Sequence, residues 1–306
     1  MESEALKATI LPRWGSKLAS LIYKPVGGEL LWQNPAKAYR ASSFADPYEL
    51  GEASGFDEMF PTISRCFYER EPWAGVEMPD HGEVWSLPWA YELEGERLLL
   101  WVEGVRFPYR IEKTIGLSEE VLRCEYRVEN LSEDDLDFIW AAHPLFDTEA
   151  GMRLIVPADL QTVVNAVPSR RLGSYGRMYS FPHAEIAGSG GFDLSRVPEK
   201  GVADFQKYWF LEKLSQGWCI LHDPRRRLNI GMAWPPEEVP YLGVWVNEGG
   251  WFDQYNIAPE PATAAMDRVD FSKAWGMSSV LNSGEARQWW LTLTVRQGEQ
   301  PRGGPL

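Results

Sequence analysis

The sequence predicts an all-β protein, an antiparallel sandwich or barrel. Three observations point there. Short runs in which apolar and polar residues alternate recur from about residue 7 to residue 295. Gly, Pro, Asn and acidic turn residues separate these runs. Windows of about twelve or more residues with helical periodicity are few. Many short strands at regular spacing are the pattern of sandwiches and barrels.

Residues 97–103 (RLLLWVE) and 110–115 (RIEKTI) read as neighbouring strands. In 120–130, Leu122, Cys124, Tyr126 and Val128 alternate with Arg123, Glu125, Arg127 and Glu129, which is a half-buried strand with one wet face. Residues 136–142 (LDFIWAA) form one apolar strand that leads into His143. Val244-Trp245-Val246 is strand-like, and 288–295 (QWWLTLTV) alternates again. The turns fall at Glu94-Gly95-Glu96, Gly104, Leu117-Ser118-Glu119 and the acidic 132–135. One or two helical turns are expected at 263–269.

Two stretches are irregular. Residues 41–80 are rich in Gly, Pro, acids and aromatics. Residues 170–200 carry Gly188-Ser189-Gly190-Gly191 and read as a long loop or insertion. Long loops in a compact β protein are often functional. With no low-complexity linker to divide it, the chain reads as one β domain over 1–296, followed by a tail, 297–306, without apolar anchors.

The chain of 306 residues has 44 acidic and 30 basic side chains, a net charge of −14. That balance argues against nucleic acid or an anionic membrane as partner, because both need a basic footprint. It leaves neutral ligands open. Fifteen tryptophans supply flat faces suited to stacking on sugar rings, although most such rings serve cores. Cys66, Cys124 and Cys219 are widely spaced and odd in number, which fits a reducing compartment rather than a disulfide framework. The first residues lack a signal-peptide layout, and no apolar run approaches the ~18–20 residues of a membrane helix. A cytoplasmic protein is expected.

Chemistry concentrates in residues 243–265, GVWVNEGGWFDQYNIAPEPATAA. Glu260 stands between Pro259 and Pro261, whose rings fix their own φ and restrict the residue before each. Either this is a rigid surface turn or Glu260 is a positioned base. Of the four histidines, His81 lies in PDHGEVW, where Gly82 permits close approach or an unusual φ, and Asp80 and Glu83 are placed to orient the ring. His143 ends an apolar strand, as a core residue or a site residue. His183 and His222 read as ordinary surface or hydrogen-bonding residues. No HxH, HExxH or Cys/His cluster argues for a metal, and no P-loop or GxSxG elbow is present. Neither a metal nor a cofactor is expected.

His81-Gly82 in the first third, His143 followed by Phe146 after an apolar strand, and Glu260-Pro261 late in the chain occur in the order of one family's landmarks. Over roughly residues 8–296 the chain resembles the aldose 1-epimerase (galactose mutarotase-like) superfamily, as a divergent branch. The family's His-Gly-Gly is His-Gly-Glu here, and its Leu-Glu-Pro-Gln is Pro-Glu-Pro-Ala. The resemblance implies a large antiparallel β-supersandwich with the site in a groove on one sheet. It implies Glu260 as general base, His143 as general acid and His81 as a sugar-orienting helper, with no cofactor.

Mutarotation needs only a base at the anomeric hydroxyl and an acid at the ring oxygen. Asp57, Glu58, Asp80, Trp245, Asn247 and Tyr255 are the candidates for binding sugar hydroxyls or stacking on the ring, with Arg65 or Arg70 as further contributors. The expected partner is a small-molecule sugar, and self-association into a homo-oligomer is left open. A non-catalytic sugar-binding sandwich, or a hydrolase or lyase on the same fold, remains as an alternative.

Overall fold

The computed structural model describes residues 1–35, 39, 42–51, 53–186 and 190–306. Among these residues the strands form two large antiparallel sheets, one of 11 strands and one of 8, with smaller two-stranded pairs beside them. No helix among them is long and apolar enough to cross a membrane. All three cysteines are buried and free.

The smaller sheet runs Arg153–Ile155, Trp218–Asp223, Leu228–Ala233, Ala286–Gln297, Val121–Asn130, Tyr109–Ser118, Arg97–Glu103, Ala90–Glu94. Alternation decides its faces. Leu122, Cys124, Tyr126 and Val128 are buried, whereas the intervening Arg123, Glu125, Arg127 and Glu129 stay at least partly exposed. On the wet side the charges pair across and along strands, as in Arg97–Glu125 and Arg127–Glu129.

The larger sheet runs Leu6–Leu11, Lys17–Tyr23, Phe56–Met59, Ala141–Pro144, Tyr255–Ala262, Tyr241–Glu248, Phe205–Phe210, Thr162–Asn165, Met178–Ser180. Gly28–Glu29 pairs with Lys17–Tyr23, and Phe146–Asp147 pairs with Tyr255–Ala262. One face of this sheet packs into the core. There Glu58 is fully buried, 2.7 Å from the ammonium of Lys113 on the other sheet. It also accepts hydrogen bonds from Tyr126 (2.9 Å) and Trp140 (3.0 Å). An ammonium, a phenol and an indole N–H thus converge on this carboxylate and offset the cost of burying it.

Several elements differ from expectation. The strand expected at 136–142 is two: Leu136–Phe138, paired with Ser279–Leu281, and Ala141–Pro144 in the larger sheet. At the change of sheet the Ile139 N–H donates to Pro61 O, and the Trp140 N–H to the Thr263 hydroxyl. The helix is Val269–Ala274, starting where the expected one ends. Before it, Met266 and Asp267 take positive φ (75° and 57°). The Asp267 carbonyl accepts from the Ile63 and Ser64 amides, so this turn is tied to the site loop instead of continuing a helix.

The stretch 170–200 is less loop-like than expected. It contains Met178–Ser180 and the pair His183–Ile186 and Gly190–Asp193. Gly188 and Ser189 of its glycine run lie outside the described residues, as does Ala41 at the start of the first irregular stretch. The last strand continues through Gln297, and the tail turns back so that Leu306 lies over Gly231.

Candidate active site

The site is built on the face of the larger sheet opposite the core. Cross-strand partners share a face. Asp57 pairs with His143, Ala141 pairs with both Met59 and Ala262, and Ala258 pairs through Trp245 to Lys207. By two-residue alternation Asp57, Met59, His143, Glu260, Trp245 and Lys207 all project from one face. Gly243, the partner of Glu260, has the Trp209 ring where a side chain would stand; a Cβ there would lie 3.0 Å from it.

Glu260 therefore sits in mid-strand, buried, and the surface-turn reading of Pro259-Glu260-Pro261 does not hold. The two prolines have a further use. The Thr263 N–H donates to Trp140 O, so the backbone nitrogens of Pro261 and Pro259 face the same side by alternation. On that side the strand pairs only at Ala262 and again at Ile257 and Asn256. Proline nitrogens carry no hydrogen, so no donors are left unpaired in the gap. The gap separates Glu260 from His143, and the Nε2 of His143 lies 3.8 Å from Oε1 of Glu260.

His81 enters from a loop above the sheet. It has φ 58°, and Gly82 has φ 74°. A Cβ on Gly82 would lie 2.1 Å from Phe60 O, so both expected uses of this glycine apply. The His81 ring stacks on Tyr48 at 3.8 Å and 7°, and lies 5.3 Å from the His143 ring. Its Nδ1 is 3.2 Å from the Asp80 carboxylate. Burial pushes the Asp80 carboxyl up, but His81 and the Tyr48 amide outweigh that and hold it below the usual range.

These groups line a cavity of about 260 Å³, walled by Tyr48, Phe205, Trp245 and Trp251 and bordered by Asp80 and Asp267. At its base the Lys207 ammonium is bonded to Oε2 of Glu260 and lies 3.7 Å from Asp267. Burial raises the Glu260 carboxyl above the ordinary value; Lys207 opposes that shift and Asp267 adds to it. Burial, with the His81, Lys207 and Lys17 charges nearby, pushes His143 well below the usual histidine value. The ring is neutral at neutral pH.

Behind the cavity wall, the Tyr48 hydroxyl donates to Asp57 Oδ2 (3.0 Å), and the same carboxylate pairs with Lys17 at 2.5 Å. Burial, then the Asp57 charge, hold the Tyr48 phenol well above its ordinary pKa, so it keeps its proton. That one proton goes to the carboxylate, and the Tyr48 oxygen, 3.4 Å from Nδ1 of His143, is left as acceptor. We assign the hydrogen of the neutral ring to Nδ1, the tautomer that completes this contact, and that assignment turns a bare Nε2 toward Glu260.

Glu260, His143 and His81 meet in one cavity, with Asp80 and Trp245 on its wall. Four other expected contacts fall elsewhere. Asp57 is buried one layer back, behind Tyr48. Glu58, one residue on, points to the core, because successive strand residues face opposite ways. Asn247 is buried, its side chain holding Gly249 and Trp251 backbone in the turn that presents Trp251. Tyr255 is off the site and donates to Pro198 O. Arg65 pairs with Glu77, and Arg70 with Asp135 and Asp137, away from the cavity. His183 is exposed, and His222 is bonded to Asn229, as expected.

Tyr48, Lys207, Asp267 and Trp251 were missed. Lys207 had a signal, a lysine inside the aromatic run FQKYWF. Tyr48 opens a single 3-10 turn, Tyr48–Leu50, and Asp267 lies in irregular backbone, both too short for periodicity to assign a direction. Among the described residues no group of three or more His, Cys, Asp or Glu side chains is placed to hold a metal ion.

No family model and no curated protein matches the sequence. Solved structures match the fold. The Slr1438 protein of Synechocystis sp. PCC 6803 is 18% identical with a TM-score of 0.73, covering 97% of this chain and 94% of that one. A protein of Escherichia coli K12 provisionally named an aldose 1-epimerase is also 18% identical, with a TM-score of 0.70 and coverage of 97% and 98%. A galactose mutarotase-like protein of Lactobacillus casei has 18% identity, a TM-score of 0.63 and coverage of 97% and 99%. At such identity the likeness speaks for architecture alone, and over nearly its whole length this chain folds as a galactose mutarotase-like β-sandwich.

Proposed function

We propose that the protein is a cofactor-free aldose 1-epimerase, interconverting the anomers of a free monosaccharide. The observation that carries this reading is the convergence of Glu260, His143 and His81 on one aromatic-walled cavity. Fold neighbours with epimerase or mutarotase names agree with it.

In this reading Glu260 Oε1 takes the proton of the anomeric hydroxyl. Electrons from that O–H form the C1 carbonyl, the C1–ring oxygen bond breaks, and the ring oxygen takes a proton. Rotation about C1–C2 and reclosure by the reverse steps give the other anomer. The raised pKa of Glu260 suits a base, since catalytic efficiency favours a pKa near the working pH. His143 and His81 hold hydroxyls around C1, the bare Nε2 of His143 acting as an acceptor. Trp245 and Trp251 supply apolar faces for the ring. At about 260 Å³ the cavity is below the ~300–1,000 Å³ of drug-sized sites, which favours one sugar ring over an extended glycan.

The test is anomer exchange, followed by polarimetry or NMR, over a panel of free aldoses. Acceleration of at least one supports the reading. Saturable binding with no acceleration moves the protein to the sugar-binding class, and cleavage of an oligosaccharide moves it to the hydrolases or lyases.

A further inference from the structure

We infer that Lys207 is the proton donor to the ring oxygen, working with Glu260 as a single bifunctional pair. The inference rests on the epimerase reading and assigns the half-reaction that reading leaves open. Lys207 lines the cavity, is 4% exposed, and its ammonium is bonded to Oε2 of Glu260. The other carboxylate oxygen, Oε1, is the one turned toward His143. The cavity therefore presents an acceptor oxygen and an N–H donor side by side. The two oxygens that exchange protons in mutarotation are also side by side, both bonded to C1.

The alternative donor on the sheet is His143. In the tautomer assigned above its Nδ1 hydrogen is directed to Tyr48, and Nε2 has none to give. Donation by the neutral ring would leave an imidazolate in a buried site, a charge without compensation. The lysine has no such difficulty. In ring opening one proton passes from the anomeric oxygen to Glu260 and one from Lys207 Nζ to the ring oxygen. The C1–ring oxygen bond breaks and the C1 carbonyl forms. Carboxylate and ammonium become carboxylic acid and amine, so the pair is neutral overall before and after. In a low-dielectric pocket that avoids creating net charge. Closure returns both protons.

Three variants test this against a merely structural lysine, with folding checked by circular dichroism and sugar binding by titration. Lys207→Arg keeps the positive charge beside Glu260, but a guanidinium does not give up a proton in proteins. We expect a rate loss of ~10²–10⁴-fold in Lys207→Arg, as for removal of an acid catalyst, and a similar loss in Lys207→Met. In Lys207→Ala, added small alkylamines should restore rate in proportion to their concentration. Full rate in Lys207→Arg, or amine-insensitive activity in Lys207→Ala, overturns the assignment while leaving the epimerase reading intact. A native chain that accelerates no aldose overturns both.

Discussion

Glu260 Oε1 and His143 Nε2 face each other at 3.8 Å across a stretch where their two strands are not laddered. The strands join at the Ala141–Ala262 pair and separate beyond it, and Phe146–Asp147 resumes the pairing farther along. The opening lets two side chains from adjacent strands approach one ligand instead of closing on each other.

Replacing Glu260 by Gln keeps the shape and an oxygen for Lys207 but removes the base. We expect anomer exchange to fall by ~10²–10⁴-fold or more, with an unchanged fold by circular dichroism. Undiminished polarimetric rate in this variant would remove Glu260 from the mechanism.

Rate should fall on the acid side as Glu260 takes a proton. Burial raises that carboxyl, so the decline starts at higher pH than for an ordinary glutamate, whose pKa is ~4.3. A pH–rate profile reads this directly. An acid limb at or below the ordinary carboxylate value contradicts the assigned environment.

His143 should remain neutral through the ordinary histidine range near ~6.5. The unfolded chain takes up a proton there and the folded chain does not, so this residue lowers stability as pH falls below that range. NMR of the ring nitrogens should show a neutral, Nδ1-protonated ring, and His143→Asn should weaken the acid sensitivity of urea unfolding. An imidazolium signal at neutral pH would refute the tautomer argument. The same variant should lose activity by up to ~10-fold, the value of one neutral hydrogen bond of ~0.5–1.5 kcal/mol.

Tyr48→Phe deletes the hydroxyl between Asp57 and His143 but keeps the ring stacked on His81. A rate loss of ~10-fold is expected from the less constrained imidazole, with sugar affinity changed less. Equal loss in affinity and rate would mean that Tyr48 binds sugar rather than positioning His143.

Glu58→Ala leaves Lys113 buried without its carboxylate. Denaturant unfolding should show a loss of ~3–5 kcal/mol, as for other broken buried pairs. Folded protein at low temperature should retain its activity, because Glu58 faces the core. A stable, inactive Glu58→Ala would return this residue to the site.

The residues settled how far the sequence could be read. Alternation at 121–130 assigned both faces of that strand correctly, because one face was apolar and the other charged. At 56–59 all four residues are buried, so alternation had no contrast to work with. Asp57 and Glu58 therefore looked equivalent, although one supports the site and the other the core. Asn247 read as a sugar ligand because its turn is formed by backbone contacts that composition does not reveal.

By itself the sequence determined the β class and the small helix content, because periodicity is a local property. Local chemistry left Glu260 and His143 each with two readings, and the resemblance to one family, carried by the order of three short motifs, singled out Glu260, His143 and His81 together. Tertiary structure alone decided that Lys207 grips Glu260, that Tyr48 and Asp57 orient His143, and that Glu58 turns inward. Each of these depends on which strands become neighbours and on the direction of irregular backbone, and both are set by long-range packing.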